Sequence, residues 1–230
     1  FASLVAEALH YSDFSSFLSA VFRGRVLVKW SRVVEDAVVA YYDYMRYYNS
    51  SMRIINSVLS SSSLNSSFIN PLIEDLEYYS DELTRLYNEL CSFIPKLRGM
   101  MNVLLKERVV RMIKEVPNPA EITQYATTIS VLLRAVRLRE EYESVGEVAK
   151  NTKEELEELI RGNSEEAIIK ATTLLKEYHE ITGLLREIIV KADDMRMHGE
   201  MGVGKLIRRV AGEVYANATT LLSEMLETYE

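Results

Sequence analysis

Apolar residues return at every third or fourth position over long stretches of this chain, the spacing of one helix face rather than of a strand. Val26, Trp30, Val33, Ala37, Tyr41, Tyr44, Tyr48, Met52, Ile55 and Leu59 make the first long stripe. It predicts a helix of about 35 residues, about 50 Å long at 1.5 Å per residue. Residues 1–22 mix apolar side chains with Glu7, His10 and Asp13, which predicts an additional amphipathic helix rather than a basic-then-apolar leader. Residues 60–67 hold six serines and read as a loop.

Asn70-Pro71 predicts the start of the next helix, with Asn as cap, Pro at the first position, and Glu74 and Asp75 facing the positive end of the dipole. Its stripe is Leu72, Leu76, Tyr79, Leu83, Leu86 and Leu90, resuming at Leu97, Met101 and Leu104. Pro95 interrupts it and predicts a kink or break. Pro117-Asn118-Pro119 with Glu121 is a strong helix start. From there Ile122, Tyr125, Ile129, Leu132 and Val136 lead without a strong breaker into Tyr142, Val145, Ala149, Thr152, Leu156 and Leu159. Gly162 ends that run, and Asn163 or Ser164 caps the next. Ala167, Ala171, Leu174, Tyr178, Ile181, Leu185, Ile188, Ala192 and Met195 follow. After a turn with Gly199, Gly202 and Gly204 comes a final helix on Leu206, Val210, Val214, Leu221 and Met225.

The predicted fold is therefore all-α: long antiparallel helices in bundles. The order of long helix, loop, acidic-capped helix, breaker and final helix occurs twice. It predicts two tandem three-helix bundles, residues 1–139 with the extra helix at 1–22, and residues 140–230.

Composition narrows the function classes. Of 230 residues, 48% are hydrophobic and 27% charged, the balance of a folded globular chain. The longest purely apolar run, residues 37–42, is far short of a membrane span. One Cys and three His argue against a disulfide scaffold or a His-rich metal centre. Asn49, Asn65 and Asn217 stand in glycosylation sequons, expected to be unmodified without a secretion signal. The cytoplasm is the expected location.

The candidate chemistry is sparse. Residues 199–206, Gly-Glu-Met-Gly-Val-Gly-Lys-Leu, nearly match a phosphate-binding loop. Leu206 stands where a hydroxyl should hold magnesium, and a helical pattern precedes the loop where the mechanism needs a strand. A helix–helix turn is expected. Asp193, Asp194, His198 and Glu200 cluster at the same turn, with Asp194 and His198 on one face, as are Glu77 and Asp81. A transition metal is the alternative to solvated helix surface there. Tyr41, Tyr42, Tyr44, Tyr47 and Tyr48 are five tyrosines within eight residues. They suit stacked bases, or, as preferred here, a packing face with hydroxyls at a wet rim. Lys96, Arg98, Lys106, Arg108, Arg111 and Lys114, then Arg134, Arg137 and Arg139, make a local basic run. A dense acidic stretch over residues 140–180 and the net charge of −7 oppose nucleic acid, leaving an anion or an acidic partner. Cys91 has no evident base, and no catalytic set, cofactor site or metal site is assigned.

Leu76-Glu77-Tyr78-Tyr79-Ser80-Asp81-Glu82-Leu83 is similar to the L-E-x-x-x-D-E-[LI] of the PhoU-like family of phosphate-transport regulators and phosphate-permease accessory proteins. Residues 119–133 resemble that family's helix after a Pro-containing turn. Residues 147–167, with Arg161-Gly162-Asn163-Ser164-Glu165-Glu166-Ala167, resemble its helix, polar turn and helix opening on Glu-Glu-Ala. The resemblance covers residues 26–230 and implies tandem three-helix bundles and a non-enzymatic regulatory or accessory role. The family's metal-binding [ED]-x-x-x-D pairs fall on Ser130 and Arg134, and on Gly212 and Ala216; Glu213 is one residue away. The resemblance thus implies that those metal clusters are lost. The expected action is binding to a protein partner, such as a membrane transporter or a signalling protein. The alternatives are a self-associating helical assembly protein, and, third, a metal-binding helical protein.

Overall fold

The computed structural model describes residues 28–98, 103–162, 165–197, 199 and 201–229; the expected helix over 1–22 lies outside them. Six helices follow in chain order: α1 Val28–Ser60, α2 Ser66–Arg98, α3 Val103–Lys114, α4 Pro119–Gly162, α5 Glu165–Arg196 and α6 Gly202–Tyr229. The fold is all-α, with no strand among the described residues. No helix among them is long and apolar enough to cross a membrane.

The 3-4 spacing places the buried face of α1 within one position of the expected stripe. Val34, Ala37, Val38, Tyr44, Ser51, Ile55 and Val58 are the inward residues, while Val33, Met52 and Leu59 lie half-buried at the edge. One residue is a rotation of about 100°, so an apolar neighbour on the boundary is easily taken for the centre. Ser51 is tolerated inside because its hydroxyl donates to the Tyr47 carbonyl at 2.9 Å.

The start of α2 corrects the expectation at Asn70-Pro71. The helix begins at Ser66, with Asn65 as its cap: Asn65 Oδ1 accepts the Phe68 N–H at 2.8 Å. Glu74 and Asp75 are therefore beyond the first turn, which carries no acid, and the dipole does little for them. Nor does Pro95 end the helix, which runs on to Arg98. Pro95 and Cys91 lie on the exposed side, where the carbonyl freed by the missing N–H faces water. At α4 the start is as expected: Asn118 Oδ1 accepts the Ala120 N–H at 3.0 Å, Pro119 is the first helical residue, and Glu121 lies in the first turn. With no breaker in it, α4 runs 44 residues without interruption.

The described chain divides into two compact units: residues up to Asn56 with Glu74–Ala126, and Ser57–Ile73 with Thr127–Glu230. This grouping differs from a cut between 139 and 140. Each unit draws on two separated stretches of chain, and α1, α2 and α4 each contribute to both.

In the second unit α4, α5 and α6 share one apolar core. Leu138, Ala149 and Leu156 meet Tyr178, Ile181, Leu185, Ile188 and Ala192, and Val214, Ala218, Leu221 and Met225 close it. Each fully buried Leu or Ile contributes about 1.5–3 kcal/mol. The Tyr178 hydroxyl donates to the Met225 carbonyl inside this core, so its polar end carries no unpaired penalty. The same unit holds the connection before α2. Arg139 donates to the Leu64 carbonyl, Glu140 Oε1 accepts the Ser66 N–H at 2.8 Å, and Arg137 donates to Asn70 Oδ1 at 2.9 Å.

Candidate functional site

The tyrosines of α1 part company according to their position on the helix. Tyr44 is fully buried, and its hydroxyl donates to the Pro117 carbonyl at 2.5 Å. Its ring stacks with Tyr48 at 6.5 Å and tilts toward Tyr87 at 6.4 Å. Burial, then Tyr48 and Tyr87, push its phenol well above the ordinary value. The Tyr48 phenol is raised first by burial, then by Glu121, with which it shares a hydrogen bond. The packing reading holds for Tyr44, but its hydroxyl reaches a carbonyl rather than water.

Tyr47, three residues on from Tyr44 and about 60° round the helix, also meets α2. Its ring is edge-on to Tyr78 at 6.2 Å and tilted to Tyr79 at 5.5 Å, and the Arg46 guanidinium lies 5.1 Å from its centroid. Tyr78 and Tyr79 are themselves 5.7 Å apart. A hydrogen bond with Tyr47 raises the Tyr78 phenol, although Tyr78 is 55% exposed. About two turns further along α2, Arg85 donates to Glu82 at 2.8 Å and to Glu89 at 3.2 Å. The result is a surface on which Tyr78 is exposed and Tyr47 and Tyr79 are half-buried, the three rings supporting one another beside Arg46 and Arg85. Tyrosine and arginine are the residue types that carry most binding energy at protein interfaces, because each offers a large face and a directed polar end. The sequence showed the α1 tyrosines but not their junction with Tyr78 and Tyr79, which depends on how α1 meets α2.

The other candidates fare differently. Gly199 and Met201 lie between α5 and α6, and residues 202–205 are already the first turn of α6, so a helix rather than a strand precedes the motif. Gly202 has φ +56°, and a Cβ on Gly204 would lie 2.8 Å from the Gly199 carbonyl oxygen. Gly202 and Gly204 are thus accounted for by backbone geometry, while a Cβ on Gly199 would meet nothing within 4 Å. Gly204→Ala is expected to destabilise the protein by about 1–3 kcal/mol, since backbone must shift to admit the methyl; urea unfolding measures it. Asp193 accepts from Arg196 Nε at 2.5 Å, and that guanidinium also lies 4.2 Å over the Tyr215 ring. Asp194 is exposed, and His198 and Glu200 lie outside the described residues. Glu77 and Asp81 are both exposed on α2. Among the described residues no three His, Cys, Asp or Glu side chains group as metal ligands. Ser130 and Gly212 are half-buried, and Arg134 and Ala216 exposed. Of the basic run, Arg137 and Arg139 are engaged in holding the α2 connection, while Lys96 lies 5.1 Å over the Phe93 ring. Cys91 is an exposed free thiol.

Compared with family models, with curated proteins and with solved structures, the chain gives no match.

Proposed function

We propose that this chain is a non-enzymatic regulatory or accessory protein, akin to the PhoU-like group, that acts by binding a transport or signalling partner. The observation that carries the reading is the surface formed by exposed Tyr78 with half-buried Tyr47 and Tyr79, beside Arg46 and Arg85. Its rings hold one another in place, so little side-chain entropy is lost when a partner covers them. Arg85 keeps its carboxylate partners at the exposed surface, where such pairs contribute little to stability and can exchange for a partner's acid. The acidic-helix and Pro-turn stretches that resemble the family support the choice of partner class.

The test is capture from solubilised membranes and cytosol with the immobilised protein, against Tyr78→Ala and Arg85→Glu. A transporter or signalling component is expected with the native chain and at least about tenfold less of it with either variant, the loss of one interface anchor. If every protein recovered binds the variants equally well, the reading fails.

A further inference from the structure

The outward face of α1 carries a second stripe, which shares only Arg46 with the surface around Tyr78. Arg32, Glu35, Val39, Tyr42, Arg46 and Asn49 follow one another at spacings of three and four, and so lie along one helix face. Val39 is 55% exposed and Tyr42 40%; Arg32, Arg46 and Asn49 are exposed and Glu35 half-buried. The stripe therefore has an apolar centre in water, with charged or amide side chains on either side.

The order of those side chains is self-complementary about a point midway between residues 40 and 41. Turned end for end on a second copy, Val39 meets Tyr42, Glu35 meets Arg46, and Arg32 meets the Asn49 side-chain carbonyl. Every one of these pairings occurs twice under a two-fold axis, as in an isologous interface. The parallel arrangement would instead set Glu35 against Glu35 and Arg46 against Arg46. Like charges in contact disfavour it. Arg46 pairs with Asp43 at 3.3 Å at the exposed surface and lies over the Tyr47 ring, and such an exposed ion pair costs little to exchange. Spacing of three and four is also what lets two helices interlock side by side over several turns.

We propose that α1 joins a second copy of this chain, antiparallel across a two-fold axis, through this stripe. The occupant is fixed by the charge order: acid lies on one side of the Val39 and Tyr42 centre and base on the other, at equal distances. The contact belongs to the smaller, reversible class of interfaces.

Sedimentation of the full chain across a dilution series, with circular dichroism confirming each variant's fold, tests it. A monomer–dimer equilibrium is expected. Glu35→Arg and Arg46→Glu should each raise the dimer dissociation constant at least about tenfold, through like charges in contact. The two together in one chain should return it to within about threefold of the native value, because the pair is made between copies. Tyr42→Ser should weaken the dimer without changing charge. Tyr78→Ala should leave it intact, which separates this interface from the partner surface above. A protein monomeric at every concentration, a dimer indifferent to the single reversals, or a double variant that stays dissociated would each overturn the proposal.

Discussion

Tyr44→Ala is expected to destabilise the protein by about 3–5 kcal/mol, the cost of emptying a buried aromatic site. Tyr44 has no exposed surface and loses three things at once: its ring contacts with Tyr48 and Tyr87, its volume, and its bond to Pro117. Tyr44→Phe separates the last from the others. It keeps the ring and should cost about 1–3 kcal/mol, the penalty for a buried carbonyl left without its donor. Alkaline pH provides an independent reading. The folded-state phenol titrates above the ordinary 10.0, so above that pH the unfolded chain binds fewer protons than the folded one. The stabilisation is complete below pH 10 and is lost as pH rises toward the folded-state value. Urea unfolding should show native stability falling on the alkaline side more steeply than that of Tyr44→Phe. Equal slopes would mean that Tyr44 is not the protected phenol.

Leu185→Ala should cost about 2–5 kcal/mol, the range for deleting a fully buried leucine. Leu185 is fully buried in the core shared by α4, α5 and α6. Leu184, its neighbour in sequence, is 44% exposed, and Leu184→Ala should change stability by no more than about 0.5 kcal/mol. The comparison places the cost in the packing and not in the helix propensity of Leu, which the two sites share. Thermal or urea unfolding of the two variants checks it; similar losses would show that the α5 face is misplaced.

The helices were legible because a long buried face needs an apolar residue at nearly every turn, and that need writes itself into the spacing. Asn118-Pro119 was legible for a different reason: cap, fixed φ and first-turn acid act locally, and all three are kept in the structure. The start of α2 was misread because two Asn residues compete. Asn70-Pro71 has the stronger local signature, but Asn65 has Glu140 and Arg139 from elsewhere in the sequence holding the same turn. Nothing local announces that help. The one-residue offset at Val34, and those on α2 where Ile73 and Ser80 are buried beside the half-buried Leu72 and Tyr79 of the expected stripe, have the same root, since the centre of a buried face is set by where the neighbouring helix lies. The tyrosine surface was half-visible: Tyr47 and Tyr78 are 31 positions apart, and only the packing of two helices joins them. The turn at Gly199 was understood from what it lacked, and the positive φ of Gly202 with the close approach of Gly204 to the Gly199 carbonyl now supplies the positive reason.

The interleaved make-up of the two units has a consequence for biosynthesis. Residues 57–73 belong with 127–230, yet they leave the ribosome more than fifty residues before the first of their partners. Val58, Leu64 and Ile69, all buried in the finished protein, belong to that segment, so the unit they help to build closes only after Arg137, Arg139 and Glu140, which hold its turn, have been made.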